Sequence, residues 1–238
     1  MTPRVSARFG LTAEDSYGDD NAGCGIQEHA KPAVRYSSSM KGVVFNLLES
    51  FICEGWGDAV YETILEGCPL HTREPFVGPG TYPDADLVSI ASATARHLGL
   101  TLPDALRAFG AFCLPHLVGS VPDLVAPMKT PEALLHAVDG VIHVEVRKLF
   151  PKAHPPRFVV EDQPDGTLRL EYRSDRKLCA FLEGIFDGLG DHFGCDIRAD
   201  KQACMHQGAD HCAYQLSISA RVQAVTSRQT TMEAALPA

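Results

Sequence analysis

The hydrophobic pattern of the chain changes from a helical to a strand period near Pro155-Pro156. Before this point apolar residues recur at the spacing of a helix face, as in the stretch 43–52. After it they alternate, in Arg157 to Asp162 and in Leu168 to Ser174, on either side of the sequence Pro164-Asp165-Gly166. Alternation around such a turn sequence is typical of a β-hairpin. The change of period therefore predicts an α+β fold in which helices precede an antiparallel sheet.

Local signals predict where several helices begin and end. The segments Thr81-x-Pro83-Asp84 and Thr101-x-Pro103-Asp104 each contain a capping hydroxyl, a proline and an acid suited to a first turn. They predict two helices, capped by Thr81 and Thr101, and Gly99 predicts the end of the first. A further helix is expected from Thr130 to about Phe150, before Pro151.

After the hairpin, the sequence predicts one more helix and two last strands. The strands are expected near 195–201 and 211–218, around a turn that contains Gly208. The helix has a broad apolar stripe, made of Leu178, Phe181, Leu182, Ile185, Phe186, Leu189 and Phe193. We therefore expect a helical N-terminal part that packs on a C-terminal antiparallel sheet.

The packed domain is expected to occupy residues 40–218 of the 238. Residues 1–39 are rich in Gly, Asp and Ser and have no sustained apolar period, which is typical of a disordered extension. Residues 219–238 are also polar and aperiodic, and we expect a flexible tail there.

Charge and hydropathy exclude several classes of partner. The formal net charge is −9, which argues against broad electrostatic binding to nucleic acid or anionic lipid. No apolar run approaches the roughly 20 residues that a membrane-spanning helix needs. The first 39 residues lack the features of a signal peptide. We expect a cytoplasmic protein without a nucleic-acid or membrane partner.

Four of the eight cysteines crowd near the C-terminus. They are Cys179, Cys195, Cys204 and Cys212, and His192, His206 and His211 lie among them. Without an export signal, a disulfide framework is a poor explanation for this cluster. Cysteines interleaved with histidines in a reducing compartment indicate a metal site instead.

His143 lies at the margin of a predicted apolar helix stripe, formed by Leu135, Val138, Ile142 and Leu149. Gly140, one turn earlier, has no Cβ and would leave room beside His143 for a flat ligand. A histidine in this position is more often a core residue than a ligand, so its neighbourhood alone does not decide its role.

Four motifs favour a ligand role for His143, because they occur in a characteristic order. They are Met40-Lys41-Gly42, Val141-Ile142-His143, Pro155-Pro156 and Tyr172-x-Ser174-x-Arg176. In this order the chain, from Met40 to about Ile218, resembles the haem-nitric oxide/oxygen binding (H-NOX) family, which is related to the haem domain of soluble guanylate cyclase.

The resemblance implies an H-NOX fold with haem b between the helical part and the sheet. His143 matches the axial ligand of the haem iron, and Tyr172, Ser174 and Arg176 match the residues that hold the propionates. Pro156 matches a proline that packs on the porphyrin. Neutral imidazole suits ferrous haem, and an arginine fork suits a carboxylate.

Two further positions concern the gas. Val44 matches an apolar residue over the haem edge, and Phe181 matches the position at which oxygen-binding relatives carry a tyrosine. Bound O₂ is stabilised by a hydrogen-bond donor, whereas NO binds ferrous haem tightly without one. Since Phe181 donates nothing, the resemblance implies a sensor that binds NO, and also CO, and excludes O₂.

A subset of the family has a zinc site, and three of its ligands match Cys179, Cys204 and Cys212. The fourth ligand of that subset is a histidine where this chain has Lys201. Either His206, His211 or Cys195 completes the coordination of zinc, or the site is three-coordinate or a thiol redox switch.

The resemblance implies a haem-based NO sensor that is not itself an enzyme and regulates a separate signalling enzyme. In the family such enzymes are histidine kinases, or the diguanylate cyclases and phosphodiesterases of cyclic-di-GMP. The alternative is a zinc/thiol redox-sensing module in which the haem site is secondary or lost. A catalytic cysteine is not supported, because no Cys/His/acid arrangement has convincing spacing.

Overall fold

The computed structural model describes residues 39–73, 75–150 and 153–221. The expected N-terminal extension, except for Ser39, and the tail from residue 222 onward lie outside these described residues. Within them, the α-helices are α1 (Gly42–Trp56), α2 (Asp58–Glu66), α3 (Asp84–Leu98), α4 (Leu102–Ser120), α5 (Pro122–Val125), α6 (Pro131–Ala137), α7 (His143–Leu149) and α8 (Cys179–Phe193). No helix in this part of the chain is long and apolar enough to span a bilayer.

The strands form two antiparallel sheets. They are β1 (Ser39–Lys41), β2 (Thr81–Pro83), β3 (Arg157–Asp162), β4 (Leu168–Arg173), β5 (Cys195–Ala203) and β6 (Cys212–Ala220). The strands β1 and β2 pair with each other, and the other four form one sheet in the order β3-β4-β6-β5. The expected α+β class, with helices followed by two hairpins, is confirmed.

Strand β6 continues beyond the expected boundary at residue 218. Ser219 and Ala220 pair with Asp196 and Cys195 at the start of β5. Arg221 then binds the carboxylates of Asp191 and Asp196. The first residues of the expected flexible tail are therefore part of the sheet, because the first two residues of β5 pair with them.

Two hydrophobic cores lie within the domain. The helical core is built from α1 to α4, with Phe45, Ile52, Ile90, Phe109 and Cys113 among its most buried members. The sheet core lies between α8, the ends of α4 and α6, and the inner face of the large sheet, and includes Leu170, Phe186, Leu189, Tyr214 and Leu216. Neighbouring residues on α4 belong to different cores, since Cys113 faces the first and Leu114 the second.

Helices α4 and α8 pack against each other in close contact, and glycines make this possible. A Cβ atom on Gly110 would overlap the carbonyl oxygen of Phe181, and one on Gly184 would overlap that of Arg107. Small residues at a crossing let two helix backbones approach closely. Arg107 also forms an ion pair across the crossing with Asp187, at 2.6 Å.

One of the two predicted caps is correct. The hydroxyl of Thr101 accepts a hydrogen bond from the backbone N–H of Asp104 at 3.3 Å, and Gly99 ends α3 in the left-handed conformation. The prediction for Thr81 is wrong. Thr81 lies in β2, paired with Lys41, and α3 begins only at Asp84, after Pro83.

The expected helix from Thr130 to Phe150 forms, but a π-helical turn at Val138–Ile142 interrupts it. A π-helical turn inserts one extra residue, so the residues after it rotate relative to those before. Leu149, predicted to share one apolar stripe with Leu135, is for this reason 68% exposed, while Leu135 is buried.

Candidate functional site

His143 is the first residue after the π-helical turn. Its imidazole is largely buried, and the ring centroid lies 5.7 Å from that of Phe158 on β3. The nearest carboxylate is that of Asp139, whose Oδ1 atom is 3.6 Å from Nδ1 of His143, too far for a hydrogen bond. Nδ1 is a buried polar atom without a hydrogen-bond partner in the described part of the chain.

Burial lowers the pKa of His143, although nearby Asp139 acts in the opposite direction. The imidazole is therefore neutral at neutral pH, which is the form that binds a metal ion. Pro156 lies close enough for its backbone to raise the pKa of His143. Pro156 therefore lies near His143.

Tyr172, Ser174 and Arg176 follow one another at the end of β4. Tyr172 is buried, and its ring lies 5.4 Å from that of Phe158. Burial raises the pKa of Tyr172 to about 12, against a hydrogen bond with Ser174 that lowers it. The hydroxyl of Ser174 also accepts from the backbone N–H of Arg176 at 3.3 Å, so it organises the turn rather than capping α8.

The guanidinium of Arg176 connects three separate segments. Its Nη1 atom donates to the carbonyl of His154 at 2.6 Å, and its Nη2 atom donates to the carbonyl of Ser39. Its Nε atom lies 2.8 Å from the carboxylate of Asp84 at the start of α3, and both side chains are mostly buried. The guanidinium that would bind a propionate of haem therefore also binds the carboxylate of Asp84.

Val44 and Phe181 both lie in the helical core, partly buried. The ring of Phe181 is 5.3 Å from that of Phe109, among apolar neighbours. His143 contacts Phe158, which packs on the sheet core. The predicted iron ligand therefore contacts a residue of the sheet core, whereas the residues predicted for the gas side lie in the helical core.

The residues of the candidate site fit haem. A neutral imidazole with an unpaired buried nitrogen is present, and two hydroxyls and a guanidinium lie at the end of β4. Within the described residues, the π-helical turn and α7 bury no side chain completely, although Val141, Ile142, Val144 and Val146 are apolar. A helix with this composition suits contact with an apolar ligand. A Cβ atom at position 140 would meet no atom within 4 Å. The open space beside Gly140 therefore does not depend on the absence of a side chain at this position.

A second group of candidate residues is the trithiol cluster, which consists of Cys179, Cys204 and Cys212. Their three sulfur atoms lie within 4.8 Å of one another, and all three residues are buried. The Sγ atom of Cys204 is 3.9 Å from that of Cys179 and 3.9 Å from that of Cys212. The structure therefore brings together the three cysteines that the sequence predicts as ligands.

The trithiol cluster does not fit a four-coordinate zinc ion, because no fourth ligand joins it in the described residues. A ring nitrogen of His206 is 2.8 Å from the carbonyl of Lys177, and His211 lies against Asp210. Cys195 is at the far end of β5, opposite Ala220. Lys201, at the position of the expected ligand, instead forms an ion pair with Glu183.

Sequence reasoning missed Asp84 and Asp139 as parts of the site. Asp139 lies one turn before His143 in the sequence, a spacing that places two helical side chains on the same face. Asp84 could not be recognised in this way, because its partner Arg176 belongs to another half of the domain.

Comparison with known proteins agrees with this geometry. The model of the haem-NO-binding family matches residues 41–201. The H-NOX protein of S. oneidensis, solved in the Fe(II)NO ligation state, is 32% identical, with a TM-score of 0.71, over 76% of this chain and 99% of that one. The H-NOX of Shewanella woodyi, bound to IWP-051 in the Fe(II)CO state, is 26% identical, with a TM-score of 0.66, over 79% and 98% of the two chains.

The unliganded Fe(II) H-NOX protein of K. algicida shares the fold, with a TM-score of 0.70 at 23% identity, over 77% of this chain and 99% of that one. No curated protein matches the chain. The family match covers most of the domain, and the residues of the candidate site fit the cofactor. The chain therefore belongs to the haem-NO-binding (H-NOX) family, whose domains are haem-based gas sensors.

Proposed function

We propose that this chain is a haem b-based sensor of nitric oxide in which His143 is the axial ligand of a ferrous iron. The observation that carries the proposal is the state of His143, a largely buried, neutral imidazole whose Nδ1 atom has no hydrogen-bond partner in the described residues. When bound, haem would supply a ferrous iron to which a diatomic gas can bind.

The residues at the end of β4 hold the cofactor in this proposal. Tyr172 and Ser174 offer hydroxyl donors, and Arg176 offers a planar fork that binds carboxylates. Arg176 already contacts Asp84 and the carbonyls of Ser39 and His154, so its position is fixed from several sides. Pro156 shapes the same surface from beside His143.

The side of the haem at which the gas is proposed to bind is apolar. Phe181 and Val44 lie among the partly buried residues of the helical core, and neither side chain donates a hydrogen bond. This environment favours NO and CO over O₂, because only bound O₂ depends strongly on a donor.

The proposed output is a movement of α7 relative to the helical core, read by a separate histidine kinase or cyclic-di-GMP enzyme. Support for the movement comes from the packing of α7, which buries no side chain completely and follows a π-helical turn. Such turns are frequent at functional sites. In this proposal the chain has no catalytic residue, and its haem-binding domain, expected at 40–218 and extended by strand β6 to Ala220, lies in the cytoplasm. Zinc is not part of it, because the trithiol cluster lacks a fourth ligand.

The decisive experiment replaces His143 by glycine. The variant should lose the ferrous spectrum of a histidine ligand and recover a similar one when imidazole is added, because imidazole can occupy the space of the lost ring. An unchanged spectrum at full haem occupancy, measured by absorption and a haem assay, would show that another residue binds the iron.

His136→Gly is a matched control for this variant. His136 lies on α6, in the same helical run, and its exposed side chain contacts Asp162 at 3.2 Å. Both substitutions place a glycine in a helix and cost a similar free energy of helix formation, about 1 kcal/mol. We expect His136→Gly to keep the wild-type spectrum.

A further inference from the structure

We propose that the trithiol cluster is a three-coordinate site for a soft monovalent cation, Cu(I), and that Lys201 stands beside it as a counter-charge instead of a fourth ligand. This inference is independent of the haem site and of the proposed NO function. It follows from the spacing of the sulfur atoms, from their burial and from the side chain at the fourth position.

The sulfur atoms already have the spacing of ligands to a single ion. Bonds of roughly 2.3 Å between a metal and thiolates place neighbouring sulfurs about 3.8–4.0 Å apart. Cys204 has this separation, 3.9 Å, from both Cys179 and Cys212. The backbone N–H of Met205 also donates to Sγ of Cys212 at 3.3 Å, which fixes the position of this sulfur.

Three different elements fix this arrangement. Cys179 begins α8, Cys204 follows β5, and Cys212 begins β6. Between the last two, the chain turns through a short 3₁₀ helix and Gly208, whose φ of 92° is in the left-handed region. A glycine adopts this conformation without strain. The ligands are therefore arranged by the fold before any ion binds.

The fourth position is closed to a zinc ligand. The Nζ atom of Lys201 lies 2.5 Å from a carboxylate oxygen of Glu183 and 5.8 Å from the ring centroid of Tyr214. An ammonium group has no lone pair to donate, and its ion pair keeps it protonated. Water is also a poor fourth ligand here, because the three cysteines lie in the sheet core with exposures of 0–6%.

Coordination number then favours Cu(I). Thiolates bind both zinc and Cu(I). Zinc in structural sites is almost always four-coordinate, whereas Cu(I) is stable with three ligands. Three thiolates with Cu(I) have a net charge of −2, which the ammonium of Lys201, shared with Glu183, offsets only in part. Binding releases the thiol protons to the solvent.

The test uses the full-length chain under anaerobic, reducing conditions. It is loaded with Cu(I), and X-ray absorption at the copper edge counts the sulfur ligands. We expect three sulfurs at one distance. Two sulfurs at the shorter distance of linear coordination would overturn the proposal.

Zinc affinity provides the second measurement, made by metal analysis after dialysis against graded chelator. Lys201→His supplies a fourth ligand and should raise the affinity for zinc at least about tenfold. Lys201→Gln removes the charge without adding a strong ligand and should not. Equal zinc affinity in the wild type and Lys201→His would show that another group completes a tetrahedral site, and the proposal would be wrong.

Discussion

At the scale of single residues, Phe181 keeps its surroundings in the helical core apolar. Phe181 packs against Phe109 and adds no polar atom to its surroundings. The hydroxyl of Tyr82, a polar group of the same core, accepts from the backbone N–H of Val77 at 2.8 Å and is already engaged there.

We expect Phe181→Tyr to make an oxygen complex visible. One hydroxyl donor to a charged acceptor contributes about 1.5–3 kcal/mol, which is roughly a ten- to hundredfold gain in affinity. The ferrous wild type should bind NO and CO and form no stable oxygen complex in air. Absorption spectra in air and under CO measure both expectations.

Phe193→Tyr is the control for this substitution. It adds the same hydroxyl to the last residue of α8, roughly 18 Å further along the helix axis, and should leave oxygen binding unchanged. A stable oxygen complex in the wild type would contradict the assignment of Phe181, and the missing donor would then be sought at Tyr61, Tyr82 or His116.

Short motifs indicate the candidate site residues, whereas the ion-pair partners of these residues could not be predicted from the sequence. His143 and the Tyr172, Ser174 and Arg176 series follow from the order of short motifs in the sequence. The ion pairs of Arg176 with Asp84 and of Lys201 with Glu183 join different elements. Nothing local in the sequence indicates such pairs, because they depend on how the elements pack.

At the scale of elements, the crossing of α4 and α8 joins the two cores. Residues next to each other on α8 face different cores, as Phe181 packs with the helical core and Leu182 with the sheet core. The close approach at Gly110 and Gly184 holds the two helices in register.

Gly184→Ala should therefore lower the free energy of unfolding by about 1–3 kcal/mol or more, because the new methyl group would overlap the carbonyl oxygen of Arg107. Gly119→Ala is the matched control on α4. A Cβ atom there meets no other atom within 4 Å, so the better helix propensity of alanine should raise stability by up to about 1 kcal/mol.

Denaturant unfolding of both variants measures the difference. If Gly184→Ala were as stable as Gly119→Ala, the two helices would not be in close contact at this crossing. Because both variants replace glycine by alanine within a helix, their helix propensities change alike and only the packing differs.

Hydrophobic periodicity predicted which segments are helices and which are strands. It did not predict the strand at Thr81 or the π-helical turn before His143. Thr81 has the sequence of a helix cap, yet its hydroxyl accepts from Nζ of Lys41 at 3.1 Å and its backbone pairs with β1. A pairing between residues so distant in sequence overrides the local signal. The π-helical turn before His143 has no comparable signal in the pattern, and it rotated Leu149 away from its predicted stripe.

At the scale of the whole molecule, Arg176 connects the sheet to the helical part. Its side chain and that of Asp84 are 12% and 14% exposed, so their charges are little screened by water. The pair of Arg107 and Asp187, also between elements, is 53% and 38% exposed. The two arginines allow a comparison of a buried and an exposed ion pair in one protein.

We expect Arg176→Lys to lower the free energy of unfolding by about 1–3 kcal/mol, because one ammonium cannot reach all the partners of the guanidinium and leaves buried acceptors unpaired. Arg107→Lys should cost less than about 1 kcal/mol. Denaturant unfolding of the two variants measures both values. Equal losses would mean that Arg176 contributes no more than an exposed ion pair.

The contacts of Arg176 with residues distant in the sequence also affect the order of folding. Its bond to the carbonyl of Ser39 joins residues 137 positions apart, whereas the helices and hairpins form from local contacts. Closing so long a loop costs entropy that is recovered only when the segments on both sides are ordered. The contacts of Arg176 therefore form late in folding and break early in unfolding. They act mainly by lowering the unfolding rate of the native state.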